Sequence, residues 1–253
     1  MSLTRCIEHQ YTLVQNNKFQ DNTAQCIYSG SRKTYKKGQI KMAKEEKVIF
    51  LRPINKKTMT VTIEGDSDLI LNKMNKRTVE MLTDQRKDKG KTIREVNPWE
   101  DIITSMHWRD DLGDIDYTMD TLKDLLTNNA PCISAFGLKK SFGQAVVRNE
   151  VDKYSTKFDA CVNILAPGNL VPIKFAEHHV DEKLMSPKRG APILSRQNRF
   201  AGWEATFTIQ FMDGGSYSED QIVQVINLAG FGLGIGSGRS SGYGRYHVKE
   251  VLG

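Results

Sequence analysis

Apolar and polar residues alternate strictly along Trp203–Met212, WEATFTIQFM, the pattern of a β-strand with one buried face. Two runs rich in β-branched residues, Lys47–Pro53 (KVIFLRP) and Met59–Gly65 (MTVTIEG), flank a polar turn and read as a hairpin-like pair. The pattern then changes to a turn, an apolar stretch and helical spacing from about Lys73 to Lys87. Pro98 stands where a first helical turn accepts it, and Trp99, Ile102, Ile103 and Met106 extend helical spacing toward Trp108. Ala135–Arg148 predicts a further helix, and Phe158–Ala166 and Leu170–Ala176 predict strands. Lys183–Arg199 carries two prolines and little periodicity, which predicts a loop. Ser218 is a candidate N-cap, with Glu219 and Asp220 in the first turn and Ile222, Val225, Ile226 and Ala229 at helical spacing. GRYHVKEV (Gly244–Val251) closes the chain as a strand. From Met59 the order is strand, helix, insertion, strands, strand, helix, glycine loop, strand. This is an α+β plan: a ferredoxin-like (RRM-like) β-α-β-β-α-β core with insertions and a C-terminal glycine-rich loop.

Composition adds little to this picture until the charge is divided. The 253 residues are 39% hydrophobic and 26% charged, which is ordinary for a globular chain. The net charge of +6 is uneven: residues 1–41 hold seven Lys and Arg against Glu8 and Asp21, leaving 29 basic and 28 acidic residues in the remainder. Rich in Asn, Gln, Lys and Ser, residues 1–41 read as a weakly ordered basic extension, with Met42 as a candidate natural start and 42–253 as the folded domain. Nucleic-acid binding must therefore rest on local patches rather than bulk charge. No apolar run approaches the roughly 18 residues of a membrane span. The opening MSLTRCIEHQYTLVQNN has no signal-peptide core. Cys6, Cys26, Cys132 and Cys161 lack CxxC spacing, so cytoplasmic thiols are expected, with no disulfide framework, metal site or cofactor.

The densest local signal is GFGLGIGSGRSSGYGRY, residues 230–246, with seven glycines and two arginines. It lacks the GxxxxGK[ST] of a P-loop. Its alternating glycines do not complete GxGxxG, and it follows a helix and precedes a strand, the reverse of a dinucleotide site. A connection between helix and strand needs one or two glycines, and each extra one costs unfolded-chain entropy. Bare backbone N–H groups beside Arg239 and Arg245 suit a phosphodiester backbone instead.

A ferredoxin-like plan whose last helix runs into such a loop and a closing strand resembles the RAMP superfamily, the RNA-binding proteins of CRISPR systems, and most of all their backbone-forming subunits. The rest of the chain is similar to phage and prophage proteins sharing IEG…LILNKMN, LVPIK and this loop. The resemblance implies that Gly232, Gly234, Gly236, Gly238, Arg239, Gly242 and Gly244 face nucleic acid, with Arg245 adding charge. It places Lys183, Lys188, Arg189, Arg196 and Arg199 in a thumb-like insertion, where a proline-stiffened loop with five cations suits phosphates. Lys139 and Lys140 beside Phe136 and Phe142 would add a charged aromatic surface.

Catalytic signals are thin. His107 falls within the expected Trp99–Trp108 helix, and His178 and His179 are adjacent on a strand, so they point to opposite faces and do not make a metal pair. His247, next to the glycine loop, is the weak candidate for a metal-independent endoribonuclease. The acids Asp110, Asp111, Asp114, Asp116, Asp120 and Asp124 read as a solvated or partner-facing surface. The expectation is a non-catalytic binder of single-stranded RNA or DNA that grips the phosphate backbone in a CRISPR or phage setting. It would act as a homo-oligomer or a subunit of a ribonucleoprotein, with the acidic segment of one copy meeting Lys183–Arg199 of the next. The alternatives are the endoribonuclease and a protein-interaction or structural phage module.

Overall fold

The computed structural model describes residues 23–28, 31–36, 55–87, 97–185 and 193–253. It divides into two units, Met1–Pro53 and Ile54–Gly253. In the first, Thr23–Tyr28 (β1) and Ser31–Lys36 (β2) pair antiparallel, Thr23 opposite Lys36. The expected strand Lys47–Pro53 and the rest of the 1–41 extension lie outside the described residues.

The second unit is a mixed α+β fold built on antiparallel sheets. Its strands are Lys56–Gly65 (β3), Leu69–Leu71 (β4), His107–Trp108 (β5), Pro131–Ser134 (β6), Val162–Leu165 (β7), Leu170–Lys174 (β8), Glu177–Met185 (β9), Ile193–Ala201 (β10), Glu204–Met212 (β11) and Tyr246–Leu252 (β12). Its helices are Lys76–Lys87 (α1), Pro98–Thr104 (α2), Met119–Asn128 (α3), Ala135–Arg148 (α4), Thr156–Cys161 (α5) and Glu219–Gly232 (α6). The main sheet runs β12-β3-β11-β8-β6-β5, with β7 sharing the edge of β11, and a smaller sheet runs β4-β10-β9.

Alternation decides which face of the main sheet is covered. Met59, Val61 and Ile63 of β3 and Phe207, Ile209 and Phe211 of β11 point into the core, where α4 and α6 pack together. On the other face the hydroxyls of Thr62 and Thr206 lie 3.0 Å apart across the strands, followed by Thr60 and Thr208 at 3.4 Å. The Ser218 hydroxyl accepts from the N–H of Gln221, whose side chain accepts from the N–H of Ser218, so a complete capping box starts α6.

Three elements differ from the sequence expectation. The helix from Pro98 ends at Thr104 rather than Trp108. The Ser105 hydroxyl donates to Ile102 O and the Trp108 indole donates to Ile103 O, and His107–Trp108 then pairs with Pro131–Cys132. Half of the expected strand Phe158–Ala166 is the helix α5, which buries Phe158 edge-on to Tyr217 with centroids 5.2 Å apart. The basic stretch, expected as a loop, is an antiparallel ribbon up to Met185 and from Ile193, with Arg196 opposite Glu182, and its residues 186–192 lie outside the described ones. The alternation of this ribbon is masked in the sequence by Asn198, a polar residue that is fully buried at an inward position beside Phe200. Among the described residues no helix is long and apolar enough to cross a membrane.

Candidate nucleic-acid interface

The glycine loop is shaped first by its own packing. Past the end of α6 the chain crosses itself: Ile235 N–H donates to Gly244 O at 2.9 Å, and a Cβ on Gly244 would run into the Ile235 carbonyl. Ser237 N–H donates to Ile70 O, closing the loop onto β4, and Gly236 lies against that same carbonyl. The turn after β3 holds the return leg, with Gly244 N–H donating to Asp68 O and Ser67 Oγ donating to Gly242 O, both at 2.8 Å. Gly234, Gly236, Gly238 and Gly244 thus have positive φ together with close protein neighbours, which accounts for them without a ligand. Gly232 and Gly242 alone among the six candidate glycines have open space where a Cβ would stand.

The two arginines of the loop have different roles. Arg245 donates through Nη1 to Phe231 O at 2.8 Å and lies 3.5 Å from Arg239 O through Nη2, stitching the loop to the end of α6. The Arg239 side chain has no hydrogen bond or ion pair among the described residues and lines a cleft of about 340 Å³.

That cleft lies between the glycine loop, the start of α4 and the segment leading into β5. Its titratable lining comprises Lys73, His107, Cys132, Lys140 and Arg239, with no carboxylate among the described residues. Local sequence places each group. Ser134 caps α4 by accepting from Gly137 N–H at 3.4 Å, which sets Gly137, Lys140, Ser141 and Gln144 along one stripe of the helix. Lys73 N–H donates to Ser105 O at 2.8 Å. Buried Asn198 donates to Ile102 O and Ser105 Oγ, both at 3.0 Å, and so fixes the strand entry that carries His107.

The electrostatics favour an anion. Neither Lys73, Lys140, Arg239 nor His107 has a side-chain hydrogen bond or ion pair among the described residues, so none of the three cations is neutralised by a described carboxylate. Burial lowers the pKa of Lys73, and burial, followed by the Lys73 charge, lowers that of His107 and so favours its neutral form. Burial pushes the Cys132 thiol up to about 11, which makes it a packing residue rather than a nucleophile.

The other sequence candidates lie elsewhere. Arg196 Nε donates to Glu182 Oε1 at 2.8 Å. Arg199 reaches Asp68 through Nη1 and Asp181 through Nε, both at 2.9 Å, so it braces the turn that holds the glycine loop. Lys183 is exposed on β9, and Lys188 and Arg189 lie outside the described residues. His247 Nδ1 is 2.7 Å from Asp66 Oδ1 and does not line the cleft. His178 meets Asn198 at 2.9 Å and His179 meets Glu177 at 3.1 Å. No group of three or more His, Cys, Asp or Glu among the described residues converges as a metal site. Phe142 is fully buried, whereas Phe136 and Phe231 are exposed at 66% and 85%. Lys73 carries no signal in the sequence, and His107, a candidate histidine there, reads as part of a helix, because both join the cleft only through tertiary contacts. Lys140 is visible in the sequence with Lys139 as a charged pair beside Phe136, and the structure separates the two, Lys140 lining the cleft and Lys139 donating to Asn163 Oδ1 at 2.9 Å.

No protein-family profile and no curated protein matches this chain. Among solved structures it is similar to a chain of the Type III-B Cmr-beta assembly bound to cognate target RNA, with 11% identity and a TM-score of 0.43. That match covers 78% of this chain and 60% of the other, so the chain spans less than two thirds of the structure it matches. It is also similar to Cmr6 from Pyrococcus furiosus, with 10% identity, a TM-score of 0.34, and coverage of 77% of this chain and 99% of the other.

Proposed function

We propose that this protein binds single-stranded nucleic acid by its phosphate backbone, through a domain spanning residues 42–253, and acts as a subunit of a ribonucleoprotein or a homo-oligomer in a CRISPR or phage setting. One observation carries the proposal: the cleft beside the glycine loop gathers the cations Lys73, Lys140 and Arg239, with His107 beside them and no carboxylate among the described residues, in a unit of nearly balanced charge. Cations around a concave backbone suit a polyanion and carry little base readout. The strand order β12-β3-β11-β7, with α4 after β3 and α6 after β11, supports a ferredoxin-like core of the RAMP kind. The glycine loop serves this function as a rigid wall that presents Arg239, with Gly232 and Gly242 as its open backbone positions.

Fluorescence anisotropy of the full chain tests this, with single-stranded RNA, single-stranded DNA and duplex at two salt concentrations. Single-strand binding should weaken with salt and fall at least about tenfold in Lys140→Ala/Arg239→Ala. Absence of salt-dependent binding would turn the assignment to a protein partner.

A metal-independent endoribonuclease is the second reading, and one observation moves its centre from His247 to His107. His178, His179 and His247 each hold a hydrogen-bond partner, whereas His107 holds none among the described residues and faces the cleft. RNA cleavage that survives chelation and vanishes in His107→Ala, with binding retained, would establish it.

A further inference from the structure

The cleft is not isolated. A concavity of about 520 Å³ beside α1 shares Lys73, Met106 and His107 with it, and one of about 370 Å³ between α4 and α5 shares Lys140 and Gln144. We infer that these three hollows form one track for a single strand, entering over Lys76 and Tyr117, passing between His107 and Arg239, and leaving over Lys140 and Arg148. The inference rests on the nucleic-acid reading above and deepens it by assigning a path and a length.

Both ends carry groups suited to a strand. At the α1 end Lys76 Nζ stands 6.0 Å from the centroid of Tyr117, a cation beside a ring face that a base can share. At the α4 end Lys140, Val147 and Arg148 follow one another along the helix, with exposed Phe136 one turn before Lys140. Gly137 to Arg148 alone covers roughly 16 Å of helix at 1.5 Å per residue. That is room for about five phosphates at the 3.4 Å spacing of a stacked strand. The whole track therefore takes more than the few nucleotides the central cleft accepts. Acids line both end hollows: Glu80, Asp110, held by Arg109 at 2.8 Å, and exposed Asp111 at the α1 end, and Asp159 at the α4 end. The strand must therefore run on the cationic side of each, and Asp111 opposes a polyanion most directly.

Length-dependent binding separates the track from the cleft. Labelled oligouridylates of about 4 and about 16 nucleotides, within the site sizes of single-strand grooves, are titrated against the full chain and three variants. With the track, the long strand binds at least about tenfold tighter than the short one, and Lys76→Ala/Arg148→Ala removes that gain. The same variant lowers the salt slope by about 1.4, at roughly 0.7 per phosphate of a single strand, and leaves the short strand unaffected. Asp111→Asn strengthens the long strand, a gain that damage to the fold does not produce. Lys140→Ala/Arg239→Ala weakens both lengths. Equal affinity for the two lengths, or end variants that follow the wild type, overturns the track and leaves the cleft reading standing. Failure of both strands to bind overturns the cleft reading and the track with it.

Discussion

Ile235 N–H donates to Gly244 O at 2.9 Å, so the two legs of the glycine loop are hydrogen-bonded where they cross. Gly244 has φ +70° and no room for a methyl group against the Ile235 carbonyl. Gly244→Ala should therefore lose about 3 kcal/mol or more, combining left-handed strain with a backbone clash. Gly232→Ala, in the last turn of α6 with open space around it, should gain about 0.5 kcal/mol by helix propensity. Urea denaturation of both variants checks the pair, and equal losses would refute this division of the glycines.

Asn198 is a fully buried polar side chain that serves three partners: Ile102 O, Ser105 Oγ and His178 Nε2. Truncation to Ala strands these groups away from water and should cost about 2–3 kcal/mol. Asn198→Ala should also loosen the segment that carries His107, read as faster amide exchange at Met106 and His107 than in wild type.

Acid should destabilise the fold through its histidines before the carboxylates titrate. Burial lowers the pKa of His178 from 6.5 against the partial compensation of its Asn198 hydrogen bond, and burial and Lys73 lower that of His107. Because the folded pKa values lie below the unfolded ones, this stabilisation is present above about pH 6.5 and is lost as pH falls, the unfolded chain taking up protons first. Thermal melts between pH 7.5 and 5.5 should decline, and His178→Gln should flatten the decline. Bound polyanion favours the protonated His107, so oligonucleotide affinity should instead rise over the same interval and stay flat in His107→Ala.

Two arginines that look alike in sequence should separate in experiment. The Arg239 side chain has no hydrogen bond or ion pair among the described residues, so Arg239→Ala should change stability by less than about 0.5 kcal/mol while weakening binding. Arg199 pairs with Asp68 and Asp181, all partly exposed, so Arg199→Ala should cost about 1 kcal/mol by chemical denaturation. Because Asp68 also holds Gly244 N–H, any loss of binding in Arg199→Ala should follow the loosened loop and recover partly in high osmolyte.

Local patterns carried much of the fold. WEATFTIQFM alternates because one face of β11 is buried and the other wet, and the capping box at Ser218 announces α6 within four residues. The helix Ala135–Arg148 was legible from end to end. Signals failed where a long-range partner overrode local spacing. Trp108 fits the helical period of α2, but its indole closes the helix instead, and the pairing with Pro131–Cys132 makes it a strand. The ribbon of β9 and β10 hid behind Asn198, whose inward position is affordable only because α2 offers it two acceptors.

The candidate site divides along the same line. The sequence by itself determined that a glycine-rich crossing with Arg239 stands between the last helix and the last strand, since glycine tolerance of positive φ is a local property. Only the tertiary structure decided what that crossing serves. It turned four of its glycines inward onto protein atoms, tied Arg245 to carbonyls, paired Arg196 and Arg199 with acids, and brought Lys73, His107 and Lys140 from three separate segments beside Arg239. Charge compensation depends on distances across the fold, and no spacing along the chain records them.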